Sequence, residues 1–443
     1  MIRWTSSLAM IALAVIAALA RAASPDVTWG ATVVIASGEG HRGPWRMNES
    51  EYRFVDDPTV AITESGIGGV AWADQSRKDL FFQAFGPDGR PRLEQPVNVS
   101  RSPKVFSWLP RIVMSPRGDD VHALWQEIVF AGGTHGGEIF YARSLDGGRT
   151  FSDPLNLSHT TGGAGKGRLT AELWHNGSLD LVMGPEGNLY AAWTEYEGSL
   201  RFNRSMDRGA SFSAPIRIAG ARGSPARGPA LAVDSAGAVY LAWTVGENPA
   251  ADIQLAKSSD QGCSFQLLSP VHRNNGHTDA PKLAVDGKGV LHLVYAESPT
   301  GMLQRYHILY ARSSDGGKTF TNPKRISGWR PGEFESEHFP ALSLDGDSNL
   351  YVIWELYTRR SRFPRGLAFP TSGDGGRSFA APALVPGSID PERGVHGSQQ
   401  GLLMRKLAVN PAGAIAIVNS TFWWDKRSEI WLLRGQSGAR VAN

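Results

Sequence analysis

Acids recur at one place in this 443-residue chain. Asp74 (WAD), Glu127 (WQE), Glu195 (WTE) and Glu297 (YAE) each stand two residues after an aromatic that ends an apolar run, and Glu355 follows Trp354 directly. Two carboxyl groups facing each other across a pocket can share acid and base work. Their convergence raises the pKa of some of them, as proton transfer at neutral pH requires. A second set precedes the neighbouring apolar runs: Asp56 and Asp57, Trp108, Trp174 and His175, Arg227, His277 and Asp279, Glu335, Glu337 and His338, and His396. Asp74, Glu195 and Glu337 are the candidate catalytic acids. His175, His277, His338 and Trp174 are candidates for contact with substrate, together with Arg227. The four histidines at 175, 277, 338 and 396 carry a further chemistry, acid and base for polysaccharide elimination. No H-E-x-x-H or other short paired spacing marks them as metal ligands. Tyr196, Tyr306, Tyr357, Phe363, Trp423 and Trp424 add flat faces of the kind that stack on sugar rings.

These residues are positioned by a repeat. SLDGGRTF (Ser144 to Phe151), SMDRGASF (Ser205 to Phe212), SSDQGCSF (Ser258 to Phe265), SSDGGKTF (Ser313 to Phe320) and SGDGGRSF (Ser372 to Phe379) share the pattern S-x-D-x-G-x-[ST]-F. Their aspartates are 61, 53, 55 and 59 residues apart, and a degenerate copy places Asp88 another 58 residues upstream. A fixed period of this length is the mark of a repeat architecture. Within each unit an alternating run (PALAVD), a turn (SAG), a second run (AVYLAWT) and a third (IQLAKS) lead into the box, and a short fourth run follows it. First strands are expected to begin near Pro58, Pro110, Leu179, Pro229, Pro281, Pro340 and Arg405.

Four strands per unit predict an all-β fold: a seven-bladed β-propeller of four-stranded antiparallel blades, closed by the N-terminal strand ATVVIAS (Ala31 to Ser37), with six blades as the alternative. The box is then the turn between strands three and four. Its Asp and Ser bind nearby backbone and its Gly takes a positive φ. Strand direction puts the boxes on the lower face, and puts the acids and histidines in loops on the upper one.

The boxes resemble the Asp-box (BNR) repeats of the sialidase superfamily over nearly all of the chain after residue 23. The resemblance implies an exo-glycosidase-like site with three arginines on a carboxylate sugar, a tyrosine nucleophile and an aspartate as acid/base. Arg111 (LPRIV), Arg227 (ARGPAL) and Arg405 (LMRKLAV) are the nearest matches to the arginines, and Asp74 to the acid/base. Phe339, in FPALSLDGDSNLYVIWE, stands where the family has its tyrosine. The expected function is a glycan-binding propeller that, as an enzyme, hydrolyses its ligand as a glycoside hydrolase. The alternative is a non-catalytic carbohydrate- or protein-binding propeller, and the third reading is a polysaccharide lyase with a histidine-centred site.

The remaining signals bound the setting. Arg3, the apolar run Leu8 to Ala20 and the small residues to Ala23 read as a signal peptide over 1–23, with one propeller domain over 24–443. The protein is expected to be secreted or periplasmic, without membrane attachment after cleavage, and a monomer. Cleavage takes the net charge from +3 to +1, and no Lys/Arg stripe points to nucleic acid. Cys263 is the single cysteine, so no intrachain disulfide forms. No cofactor is expected. DGDSN (Asp345 to Asn349) has calcium-loop spacing but lies at an ordinary turn without the terminal bidentate Glu, which leaves calcium as a minor alternative.

Overall fold

The computed structural model describes residues 24–438, apart from 103, 129–136, 161–165, 169–173, 177–178, 196, 222–223, 247–250, 272–275, 302–304, 329, 331, 360–362, 390–393 and 398–403. The signal-peptide reading over 1–23 and the aromatic candidate Tyr196 lie outside the described residues. The described chain is an all-β propeller whose one helical element is the single 3-10 turn Pro185–Gly187. None of its helices is long and apolar enough to cross a membrane.

Antiparallel meanders follow one another around a channel. The first runs Val55–Ile62, Gly68–Asp74, Asp79–Phe85, Val97–Asn98, and the second Ser107–Met114, Val121–Glu127, Glu138–Ser144, Leu155–Asn156. The third runs Leu179–Met183, Leu189–Thr194, Leu200–Ser205, Ile216–Ala219. The next two, beginning with Ala226–Val233 and His277–Val285, are joined by one parallel bridge between Ala251 and His277 into a single eight-stranded sheet. Ser336–Leu344 opens a five-stranded sheet. The last sheet has six strands: Arg427–Ser437 pairs with Ala414–Trp423 on one side and with Val27–Trp29 and Val33–Gly38 on the other, while Leu407–Val409 and Val395–His396 pair with Ala414–Trp423. This pairing corrects the expected ring of seven, or six, separate four-stranded blades. Among the described residues only three sheets have four strands; the others have eight, six and five, besides two two-stranded ribbons. Turn spacing marks where strands reverse, but not which neighbouring strands hydrogen-bond across a unit boundary.

The repeated box is a self-contained turn. In the first copy the Ser144 hydroxyl donates to Asp146 at 2.7 Å and accepts from the Gly148 amide at 2.8 Å. The Asp146 carboxylate also accepts from the Thr150 amide (2.9 Å) and hydroxyl (2.6 Å). The same four bonds recur in the copies centred on Asp207, Asp260, Asp315 and Asp374. The glycine at the fifth position is required twice over. Its φ is positive, and a Cβ there would meet a ring of the preceding meander, such as the Tyr310 hydroxyl 1.7 Å from one built on Gly376. The closing Phe packs edge-on to that ring: Phe151 on Phe82, Phe212 on Tyr141, Phe265 on Phe202 and Phe379 on Tyr310, with centroids 4.7–5.6 Å apart. Each box therefore ends one meander and braces it on the previous one.

Hydrogen bonds from Ser211, its hydroxyl first and then its amide, hold the Asp207 carboxyl at about 2. Asp146 also lies at about 2, because partial burial, which alone would raise it, is outweighed by the Thr150 and Ser144 hydroxyls. Asp315 is held lower still, chiefly by the Thr319 hydroxyl and amide. A carboxyl with its pKa depressed on folding contributes stability that is complete above its unfolded pKa, roughly 4, and lost as pH falls through the folded value. The urea midpoint is therefore expected to fall between pH 4 and 2. The double variant Asp146→Asn, Asp207→Asn should show a shallower fall, and an unchanged slope would remove the boxes from the explanation.

Side chains of the first strands meet at the centre. Five of these strands share a kink at the same place. Asp57, Leu109, Gly228, Ala280 and Phe339 have φ between 51° and 58°, each directly before a proline and each at a break in ladder register. The strands begin three or four residues earlier than the prolines suggested, at Val55, Ser107, Ala226, His277 and Ser336. Proline is tolerated at a β-bulge, where no ladder donor is needed. The residues expected in upper loops, among them Trp108, Arg227, His277, Asp279, Glu337 and His338, thus sit on the strands, above the kink.

Candidate functional site in the channel

Two polar clusters lie along the channel wall, one on each side of the kinks. The upper one spans three consecutive first strands. Arg227, on Ala226–Val233, is fully buried and donates from Nε to the Gly246 carbonyl at 3.2 Å. Its Nη1 lies 3.9 Å from Asp279 Oδ1, and neither terminal nitrogen makes a hydrogen bond among the described residues. Asp279, on the next strand, also accepts from the Thr244 hydroxyl (3.2 Å) and the Ala280 amide (2.8 Å). His277 is two residues earlier on that strand, so it shares a face with Asp279. Its Nδ1 is 2.9 Å from the Tyr306 hydroxyl. Tyr306 lies just before the strand His307–Ser313, and its carbonyl accepts from the Glu337 amide. The His338 ring stacks on Tyr306 with centroids 4.1 Å apart and planes 8° apart, and Phe339 covers His338 at 3.7 Å. The kinked backbone at Phe339 turns this neighbouring pair together.

The lower cluster lies below the kinks. Asp180, on Leu179–Met183, is buried, accepts from Arg405 Nη2 at 2.8 Å and from the Leu231 amide at 2.9 Å, and has Arg111 Nε at 3.9 Å. Arg111 donates to the Pro110 carbonyl at 2.9 Å, and burial lowers its pKa to about 10 against the pull of Asp180. Lys282 joins the same group, and its pKa is lowered to about 7, first by burial and then by the charges of Arg111 and Arg405, against the opposing pull of Asp180. A further buried set, Lys406, Glu355 and Tyr357, stands beside it: Lys406 Nζ donates to Glu355 Oε1 and the Tyr357 hydroxyl to Glu355 Oε2 at 2.6 Å.

The three candidate catalytic acids are not brought together. Asp74, in the first meander, accepts from the Ser76 and Arg77 amides and pairs with Arg77 at 3.6 Å; burial raises its pKa. Glu195 pairs with Arg201 at 3.0 Å. Glu337 accepts from the Gly328 amide at 2.9 Å and lies 3.4 Å from His307. None of the three bonds to another. Of the arginines, Arg111 and Arg405 share Asp180, whereas Arg227 belongs to the upper cluster. His277 and His338 meet at Tyr306. Trp174 and His175 lie on the ribbon Trp174–Asn176, paired with Lys166–Arg168, and their side chains are outside the described residues. His396 is buried on the strand Val395–His396. DGDSN is a turn, in which Asp345 takes the Asp347 and Asn349 amides and the Tyr351 hydroxyl. Among the described residues no group of three or more His, Cys, Asp or Glu is arranged to hold a metal.

Asp180 and Lys282 escape a reading by residue type and motif. The residue after the kink proline reads Thr59, Arg111, Ala230, Lys282 and Ala341. That column faces the channel, and aligning the repeats on their prolines would have shown a lysine in it.

No family model matches the chain, and no curated protein matches it. Solved structures do resemble its fold. A protein of unknown function from Dyadobacter fermentans DSM 18053 aligns at TM-score 0.54 with 14% identity, over 77% of this chain and 97% of that one. A polysaccharide lyase of family PL25, an ulvan lyase, aligns at TM-score 0.54 with 11% identity, over 85% of this chain and 93% of that one. A Hadza microbial sialidase aligns at TM-score 0.48 with 13% identity, over 83% of this chain and 74% of that one. The sialidase reading is corrected accordingly: with no family model, and with the matches above 0.5 falling elsewhere, the S-x-D-x-G-x-[ST]-F boxes define a turn and not membership of the sialidase or BNR/Asp-box families. The class that fold and channel define is a β-propeller with a polar channel wall.

Proposed function

We propose that this propeller is a carbohydrate-active enzyme and that it cleaves a uronate-containing polysaccharide by elimination, with Arg227, His277, Tyr306 and His338 as its site. The observation that carries the reading is the 2.9 Å contact between His277 and Tyr306, one strand away from a buried guanidinium. The likeness to ulvan lyases supports it at the level of fold. Elimination needs three things. A cation must face the uronate carboxylate, so that the C5–H bond acidifies; Arg227 has the charge and the unsatisfied nitrogens for this. A base must take the C5 proton, and a donor must give one to O4 as the C4–O4 bond breaks and the C4–C5 double bond forms. A hydrogen-bonded imidazole and phenol can perform both transfers, and the proton count closes without water or cofactor. Separated acids such as Asp74, Glu195 and Glu337 do not offer the facing pair that hydrolysis requires.

The test is a screen of the secreted chain on ulvan, alginate, polygalacturonate and glycosaminoglycans, read by ultraviolet absorbance of the unsaturated product. New reducing ends with that absorbance support the reading. Reducing ends without it would restore hydrolysis, and binding without turnover would make this a recognition propeller.

A further inference from the structure

The channel opens below the kinks into a cavity of about 340 Å³, within the range of roughly 300–1,000 Å³ typical of ligand pockets. It is lined by the lower halves of the first strands and is separate from the His277–Tyr306 cluster. Its wall is divided. One end carries Lys282, Arg405 and Asp180; the rest is aliphatic, with Val60, Ile62, Val182 and Leu342 among its side chains. Arg111 stands directly behind Asp180. Three cations therefore share one carboxylate, and the charged end of the cavity is left positive. A surplus of positive charge at the end of an apolar cavity is costly unless an anion enters.

We propose that the lower channel is a binding site for a small organic monoanion, its carboxylate between Lys282 and Arg405 and its apolar body against the aliphatic wall. The aliphatic wall selects against inorganic anions, whose remaining oxygens would lose their hydration without replacement donors. The divided wall also sets orientation, with the head inward and the body toward the lower mouth. The charged groups acting on Lys282 are Asp180, which favours its protonated form, and Arg111 and Arg405, which oppose it. An added carboxylate favours protonation, so binding takes up a proton and weakens as pH rises past 7.

The experiment is calorimetry of the full mature chain with hexanoate, hexanol and inorganic phosphate at pH 6 and 8.5. Hexanoate is expected to bind, and to do so roughly tenfold more weakly at pH 8.5, by proton linkage; hexanol and phosphate should not bind. Lys282→Met should abolish hexanoate binding, and Lys282→Arg should keep it with the pH dependence removed. Loss of binding in Lys282→Met will not reflect unfolding. A lysine whose pKa falls on folding costs stability at neutral pH, so removing it should raise the melting temperature, which is measured alongside. Equal binding of hexanol, binding of phosphate in place of hexanoate, or full binding by Lys282→Met would each overturn the proposal. The upper-site activity is independent of all three.

Discussion

Asp180→Ala is expected to lower the unfolding free energy by about 3–5 kcal/mol, the range for removing one member of a buried charge set. Asp180 is 4% exposed and is the carboxylate around which Arg111, Lys282 and Arg405 are gathered. Without it, Arg111 keeps its charge in a fully buried position and Arg405 loses its 2.8 Å partner. The Leu231 amide loses its acceptor too, which carries a separate cost of roughly 1–3 kcal/mol for a buried donor. Because the three cations sit on different strands, their repulsion acts across the channel and pushes the ring open. Asp180→Asn keeps an acceptor for Leu231 and should fall between wild type and alanine. Urea unfolding of the two variants measures both. A loss below about 1 kcal/mol for Asp180→Ala would mean that water or a bound anion screens the cluster, and that Asp180 is not what holds the three cations in place.

Tyr306→Phe is expected to reduce elimination by roughly 100-fold or more, the lower end of what a positioned acid or base contributes. The change removes one oxygen. The ring remains, so stacking on His338 at 4.1 Å and the backbone bond to Glu337 are kept. What is lost is the hydroxyl 2.9 Å from His277. If the pair transfers protons, turnover should fall while KM stays near its original value, and one limb of the pH–rate profile should shift or vanish. His277→Ala should fall at least as far. A purely structural role for the pair would give unequal losses of stability and an unaltered pH profile. Activity of Tyr306→Phe within a few-fold of wild type would dismiss the tyrosine from the chemistry.

Local features were legible in the sequence and long-range ones were not. The boxes could be read because Ser313, Asp315, Gly317 and Thr319 satisfy one another within seven residues. A local hydrogen-bonded turn leaves its pattern in consecutive letters. Second strands such as Val239–Gly246 could be read for the same reason, through alternation ending in Trp243. The kinks misled. Pro229 and Pro281 look like strand starts, since proline normally breaks a ladder, but here a residue at positive φ absorbs the break and the strand continues upward. Placing Arg227 and His277 in loops followed from that one error. The clusters were beyond reach for another reason: Arg405 and Asp180 are 225 residues apart, and which residues share a level of the channel depends on the rotation of each strand. The candidate list drawn from types alone mixed Arg405 and Arg111 with Arg227, which the fold assigns to different ends.

The closing sheet has a consequence for how the chain is handled. Arg427–Ser437 is an 11-residue strand whose outer edge is covered only by Val27–Trp29 and Val33–Gly38. Those two short strands are among the first residues after the proposed cleavage site, so they must wait for the last strand to be made before they have a partner. A preparation trimmed to begin at residue 39 would present that long edge to the solvent. The same groups would then recruit residues 27–38 of another molecule, or another copy of the edge itself. Intact chains should stay single, whereas nicked or shortened ones should exchange arms and form chains of molecules.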